Sequence, residues 1–280
     1  MSSPGQDSSG QEPERPASET GKATALLPGP WEKTRARTRS RRSLILLVTL
    51  AVVGGFAFAT LFAFGVSKLS ARSASHVQQY RPTGIPASVS TSLAYLMQLS
   101  PVPSHPAPAF TLTDQAGRAV SLAQFHGKTV VLTFMDSHCT DICPLVSREF
   151  IGARKDLGPA GRNVVFVAVN VNPYHNKVSD VASYSRAQRL DSIGSWYFVT
   201  GPVSRLRPVW NAYQVQVQAR NPNADVIHTS LIYVIDPSGR ERYVANPMVD
   251  HTKSGAAYLP PGQLAAWSRG IALVARSVSP

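Results

Sequence analysis

The chain has 280 residues, a net charge of +12 and only 16% charged residues, with 22 prolines and two cysteines. Its length allows one large domain, or one domain with appendages. The basic excess comes without any basic motif interleaved with aromatics, so nucleic acid is not implied as a partner.

The averages hide a non-uniform chain. Residues 1–42 are rich in Ser, Pro, Gly, Glu and Arg and have no apolar periodicity. They read as a disordered cytoplasmic tail. Residues 43–67, "SLILLVTLAVVGGFAFATLFAFGVS", contain no charge. A bilayer core needs roughly 20 apolar residues, and a cleavable leader has a shorter apolar region, so the expectation is a transmembrane helix. Lys33, Arg35, Arg37, Arg39, Arg41 and Arg42 precede it, whereas Lys68 and Arg72 follow it. The positive-inside rule then keeps the tail in the cytoplasm and places 68–280 outside, on a single-pass cell-membrane protein. "SRRSLIL" at 40–46 also resembles a twin-arginine export signal, but plain topogenic charge is the favoured reading.

Residues 68–108 read as an extracytoplasmic linker ending in the spacer "PVPSHPAP". Within it, Leu93, Leu96 and Met97 lie at helical spacing over two turns. The folded domain is expected over 109–280. "FTLTDQAGRAVSL" alternates around Gln115, Ala116 and Gly117 and predicts a hairpin. "KTVVLTFMD" and "NVVFVAVNV" are near-continuous apolar runs, as in strands buried on both faces. Between them, Val146, Phe150 and Leu157 predict a helix, with Asp141 as its N-cap and Pro144 in its first turn. Further on come a helix at 178–190, a short strand at 195–201, and a helix at 202–215 weakened by Pro208. A hairpin turning at 236–239 follows, and then a last helix at 262–278 with Leu264, Trp267, Ile271 and Val274 on one stripe. Strands alternating with helices and a terminal hairpin define an α/β class, a mixed sheet covered by helices on both faces.

Both cysteines lie in "MDSHCTDICPLV", where a buried strand gives way to a helix. A thioredoxin-like fold carries its active pair at this junction. Free N–H groups and the positive end of the dipole lower a thiol pKa there. The spacing is C-x-x-x-C rather than C-x-x-C, which places both sulfurs on one helical face. An exported pair of this kind is open to three uses: a structural disulfide, a redox couple, or a two-sulfur clip for a soft ion such as Cu(I). The disulfide would close so short a loop that it would stabilise weakly. A third metal ligand would come from elsewhere. Among seven histidines, His228 stands out, because it directly precedes the strand that a thioredoxin fold places beside the cysteine pair. By position alone, an ordinary hydrogen-bonded histidine explains it equally well.

"SHCTDICP" at 137–144, together with "IHTSLIYVIDPSG" at 227–239, resembles the SCO/SenC family. The resemblance spans 109–280. It implies a thioredoxin-like domain tethered by one N-terminal transmembrane helix. It also implies binding of copper, as Cu(I) or Cu(II), and a chaperone role in assembling the dinuclear copper centre of cytochrome c oxidase, with the copper-bearing subunit as partner. Carried over residue by residue, it makes Cys139, Cys143 and His228 the copper ligands. Cys139 and Cys143 would also be the redox-active pair if the protein is instead a thiol–disulfide oxidoreductase acting on partner cysteines. A thiol peroxidase, from the related peroxiredoxins, is a third reading; no pattern identifies its activating arginine.

The chain departs from the family pattern in three places. Thr140 replaces a proline between the cysteines, and Ile227 stands where an acid usually precedes the histidine. The element D-P-x-R-D is present as "NPYHN" at 172–176, without either acid. Asp136 reads as a strand-end residue, His138 as a site-rim residue, and Met248 and His251 as surface-loop residues. His175 carries no weight in this reading.

Overall fold

The computed structural model describes residues 81–280. The tail at 1–42, the span at 43–67 and the start of the linker lie outside the described residues. Among the described residues no helix is long and apolar enough to cross a membrane.

Two runs of β-branched residues form the centre. β4 (Thr129–Met135) and β5 (Val164–Asn170) are buried along their whole length and pair in parallel, with Thr129 opposite Val164 and Met135 opposite Asn170. Alternate side chains serve opposite layers. Val131 and Met135 of β4 join one apolar cluster, and Val130, Leu132 and Phe134 join the other. Burial on both faces is what the unbroken apolar runs require.

Four more strands complete the sheet: β1 (Ser100–Pro106), β6 (Trp196–Val199), β9 (Ile232–Ile235) and β10 (Arg240–Ala245), in the order β1-β10-β9-β4-β5-β6. β9 runs antiparallel to β4, and β6 runs parallel to β5. The β4-helix-β5 crossover and the terminal β9–β10 hairpin are the thioredoxin arrangement. That hairpin turns where Gly239, at φ +78°, closes the bend after Asp236. The 110–121 hairpin is present as β2 (Thr111–Thr113) and β3 (Ala119–Ser121).

One layer of helices comprises α1 (Thr91–Leu96), α2 (Cys143–Leu157), α3 (Val178–Ala187) and α5 (Gln263–Val278). Trp267, Ile271 and Val274 of α5 are buried against the sheet, and Leu264 is partly covered. α4 (Val203–Ala212) packs on the opposite face through Leu206, Val209 and Trp210, and runs through Pro208 without a break.

Two expectations change. Residues 81–108, assigned to the linker, carry α1 and the edge strand β1, which pairs antiparallel with β10. β1 is proline-rich, almost wholly exposed and irregular in register between Pro101 and His105, so only its pairing to β10 makes it a strand. Asp141 does not cap α2. The N-cap position is Ile142, without a side-chain cap, and Asp141 Oδ1 instead meets His251 Nε2 at 2.7 Å.

Candidate metal centre

The site gathers at the carboxyl ends of β4 and β5, where open α/β sheets place their ligands. β4 delivers Asp136, and the loop that follows carries His138 and Cys139 before α2 opens at Cys143. Both cysteines are free thiols; Cys143 is buried and Cys139 partly exposed. The Cys143 N–H donates to Cys139 Sγ at 3.4 Å, so a sulfur takes one of the orphan donors of the helix start. That contact makes the two thiols unequal. A hydrogen bond from the Cys143 thiol and the nearby N–H groups of Cys143 and Asp141 hold Cys139 below the ordinary thiol value, despite its burial. Donation to Cys139 and complete burial push Cys143 well above it. Of the two thiols, Cys139 is therefore the one that ionises more readily.

His228 belongs to a small hairpin of β7 (Val217–Gln218) and β8 (Ile227–His228), where it pairs with Val217. Its Nδ1 lies 3.1 Å from the Thr229 carbonyl. A carbonyl only accepts, so Nδ1 carries the proton and Nε2 keeps its lone pair. Burial lowers the imidazole pKa, which favours the neutral, metal-binding form. The two cysteines are in contact through Cys139 Sγ, while the hydrogen bond of the His228 ring goes to its neighbour Thr229. Among the described residues no three His, Cys, Asp or Glu side chains stand close enough to share a metal ion.

Polar contacts join the surrounding loops. Asp136 is 1% exposed. Its Oδ1 accepts from His138 N at 2.8 Å and Asn172 Nδ2 at 2.7 Å, and its Oδ2 accepts from Val226 N at 3.2 Å. Asn170 Oδ1 accepts from the amides of Ser137 and Asn172, and its Nδ2 donates to the His175 carbonyl. The rings of His138 and His175 stack at 3.5 Å, and Thr140 Oγ1 donates to Asp225 Oδ2 at 3.2 Å. These four residues line a cavity of about 460 Å³ beside the cysteine loop. His251 reaches the same loop through Asp141, whereas Met248 accepts from Gln98 Nε2. Sequence reasoning passed over Asn170, Asn172 and His175. The one available signal was that both buried strands end in polar residues, Asp136 and Asn170, at adjacent positions of the sheet.

The fold and the paired thiols at its strand-to-helix junction define a thioredoxin-like protein with two free cysteines at that junction. The family model described as SCO1/SenC matches residues 100–256, more than half of the chain. The chain belongs to the SCO1/SenC family. It is 25% identical over 133 residues to the SCO1 protein homolog of Bacillus subtilis, covering 47% of this chain and 68% of that one. It is 29% identical over 136 residues to the human mitochondrial SCO2 homolog, covering 46% of this chain and 50% of that one. The chain thus spans about half the length of that mitochondrial relative. A Mycobacterium tuberculosis protein described as a peroxiredoxin is 29% identical over 138 residues, 49% of this chain and 80% of its own. Among solved structures, Bradyrhizobium japonicum ScoI with copper bound is similar at 21% identity and a TM-score of 0.48, covering 62% of this chain and 99% of that one.

Proposed function

We propose that this chain is a membrane-anchored, extracytoplasmic copper chaperone that loads the copper-bearing subunit of cytochrome c oxidase. Cys139, Cys143 and His228 are its ligands in this reading. The observation that carries it is the pair of free thiols, one partly exposed and held towards thiolate, set at a helix start in a member of this family. Two thiolate sulfurs and a neutral imidazole suit Cu(I) among the common metals. The sulfurs form a ready platform, and His228, on the neighbouring loop, is the third ligand in this reading. Holding copper between two thiolates requires both protons to leave, so uptake releases protons and is blocked when the thiols are oxidised to a disulfide.

The alternative, a thiol–disulfide oxidoreductase acting on partner cysteines, uses the same sulfurs, with Cys139 attacking and Cys143 resolving. It has no need of His228, so His228→Ala separates the two readings. Losing one of three ligands is expected to weaken Cu(I) binding about 100-fold, equivalent to about 3 kcal/mol, while disulfide exchange stays close to wild type. Anaerobic Cu(I) competition titrations and exchange kinetics on the same protein measure both. Unchanged copper affinity would remove His228 from the site. Normal oxidase assembly in cells despite lost copper binding would favour the oxidoreductase.

A further inference from the structure

We infer that Asp136 is a positioning residue, holding the loop that bears His228 against the loop that bears the cysteines. The inference rests on the copper reading above. Its carboxylate is buried, and a buried charge persists only where donors replace water. The three donors come from three separate segments. His138 N lies one residue before Cys139, Val226 N lies two residues before His228, and Asn172 Nδ2 lies where the chain leaves β5. No other buried carboxylate among the described residues bridges these loops.

This also accounts for one departure from the family pattern. Asn172 occupies the first position of the D-P-x-R-D element, and its amide donates to Asp136 at 2.7 Å. An aspartate there would set two carboxylates face to face, and one would have to stay protonated. With the charge at 136, position 172 needs a donor, and asparagine supplies it.

Asp136→Asn tests the assignment with little change in shape. An amide that still accepts from His138 N presents its NH2 to Val226 N–H, donor against donor, and releases the 222–228 loop. The full-length variant is expected to bind Cu(I) at least about tenfold more weakly. X-ray absorption should show copper held by two sulfurs with the nitrogen missing, as in His228→Ala. In the metal-free protein, amide exchange at 225–228 should accelerate. Asp114→Asn is the control, because Asp114 is also fully buried but accepts from Ala116 N and Arg118 N within the β2–β3 hairpin, from neither the cysteine loop nor the His228 loop. It should lower stability and leave the copper ligands intact. Retention of the nitrogen ligand and of affinity within twofold in Asp136→Asn would overturn the inference. If the wild type itself shows no copper nitrogen, the copper reading fails instead, and amide exchange in the metal-free variant still decides the role of Asp136. Should Asp136→Asn not fold, Val226→Pro, which removes the single N–H, must reproduce the loss of nitrogen; a full ligand set there would equally overturn it.

Discussion

Glu149 sits on α2, wholly buried, with neither carboxylate oxygen hydrogen-bonded. Burial pushes its pKa up to about 8, against 4.5 for an unperturbed glutamate, with Arg148 opposing only weakly. The folded state therefore keeps a proton that the unfolded chain has already released. Between pH 4.5 and about 8 the native state binds more protons, so stability must fall as pH rises across this window. The accumulated loss is roughly 5 kcal/mol by linkage. Glu149→Gln cannot ionise, and urea midpoints measured from pH 4.5 to 8 should lose this component of their slope. A slope identical to wild type would show that Glu149 is not the group responsible. Residues differ in how openly they announce themselves. Cys139, Cys143 and His228 carry rare side chains at telling spacings. Asp136 and Glu149 look like ordinary acids until burial and partners are known.

At the scale of elements, α2 and α5 approach closely where a helix has no side chain. A Cβ on Gly152 would meet Ser268 Cβ at 2.7 Å and its hydroxyl closer still. Alanine at 152 gains about 1 kcal/mol of helix propensity. Overpacking against a neighbouring helix costs about 1–3 kcal/mol, and α2 also fixes the Cys143 end of the site. Gly152→Ala is expected to lower the urea midpoint, and Ser268→Gly in the same chain should restore it. A stabilised single mutant would show that the helices part without cost. β1 makes the complementary point. Its sequence has the prolines of a spacer, and only the free edge of β10 turns it into a strand. Similarly, Asp141 has the chemistry of an N-cap, but Cys139 Sγ meets the helix start and His251 takes the carboxylate.

For the whole molecule, the proposed topology makes a direct statement about access. In that proposal, the basic flank before the apolar run at 43–67 keeps the tail inside and the cysteine site faces outside the cell. After mild reduction of intact cells, a membrane-impermeant thiol reagent should label Cys139, the more exposed of the two thiols. Cys139→Ala should abolish most of the signal. Labelling only after lysis would overturn the extracytoplasmic placement.

Local pattern was enough for the α/β class, the two central strands, the β9–β10 hairpin and the stripe of α5. Each depends on periodicity or on turn chemistry, which neighbouring residues express by themselves. The cysteine pair was equally legible, because a strand ending in C-x-x-x-C at a helix start confines both sulfurs to one place. The edge strand β1, the pairing of Asp141 with His251 and the hub at Asp136 depended on segments far apart in the chain. Asp136 and Val226 are 90 residues apart, and Ser100 and Val244 pair across the sheet. A hydrogen bond of that kind leaves no local periodicity, because its donor is a backbone N–H that every residue but proline possesses. Only the packed sheet selects which N–H arrives.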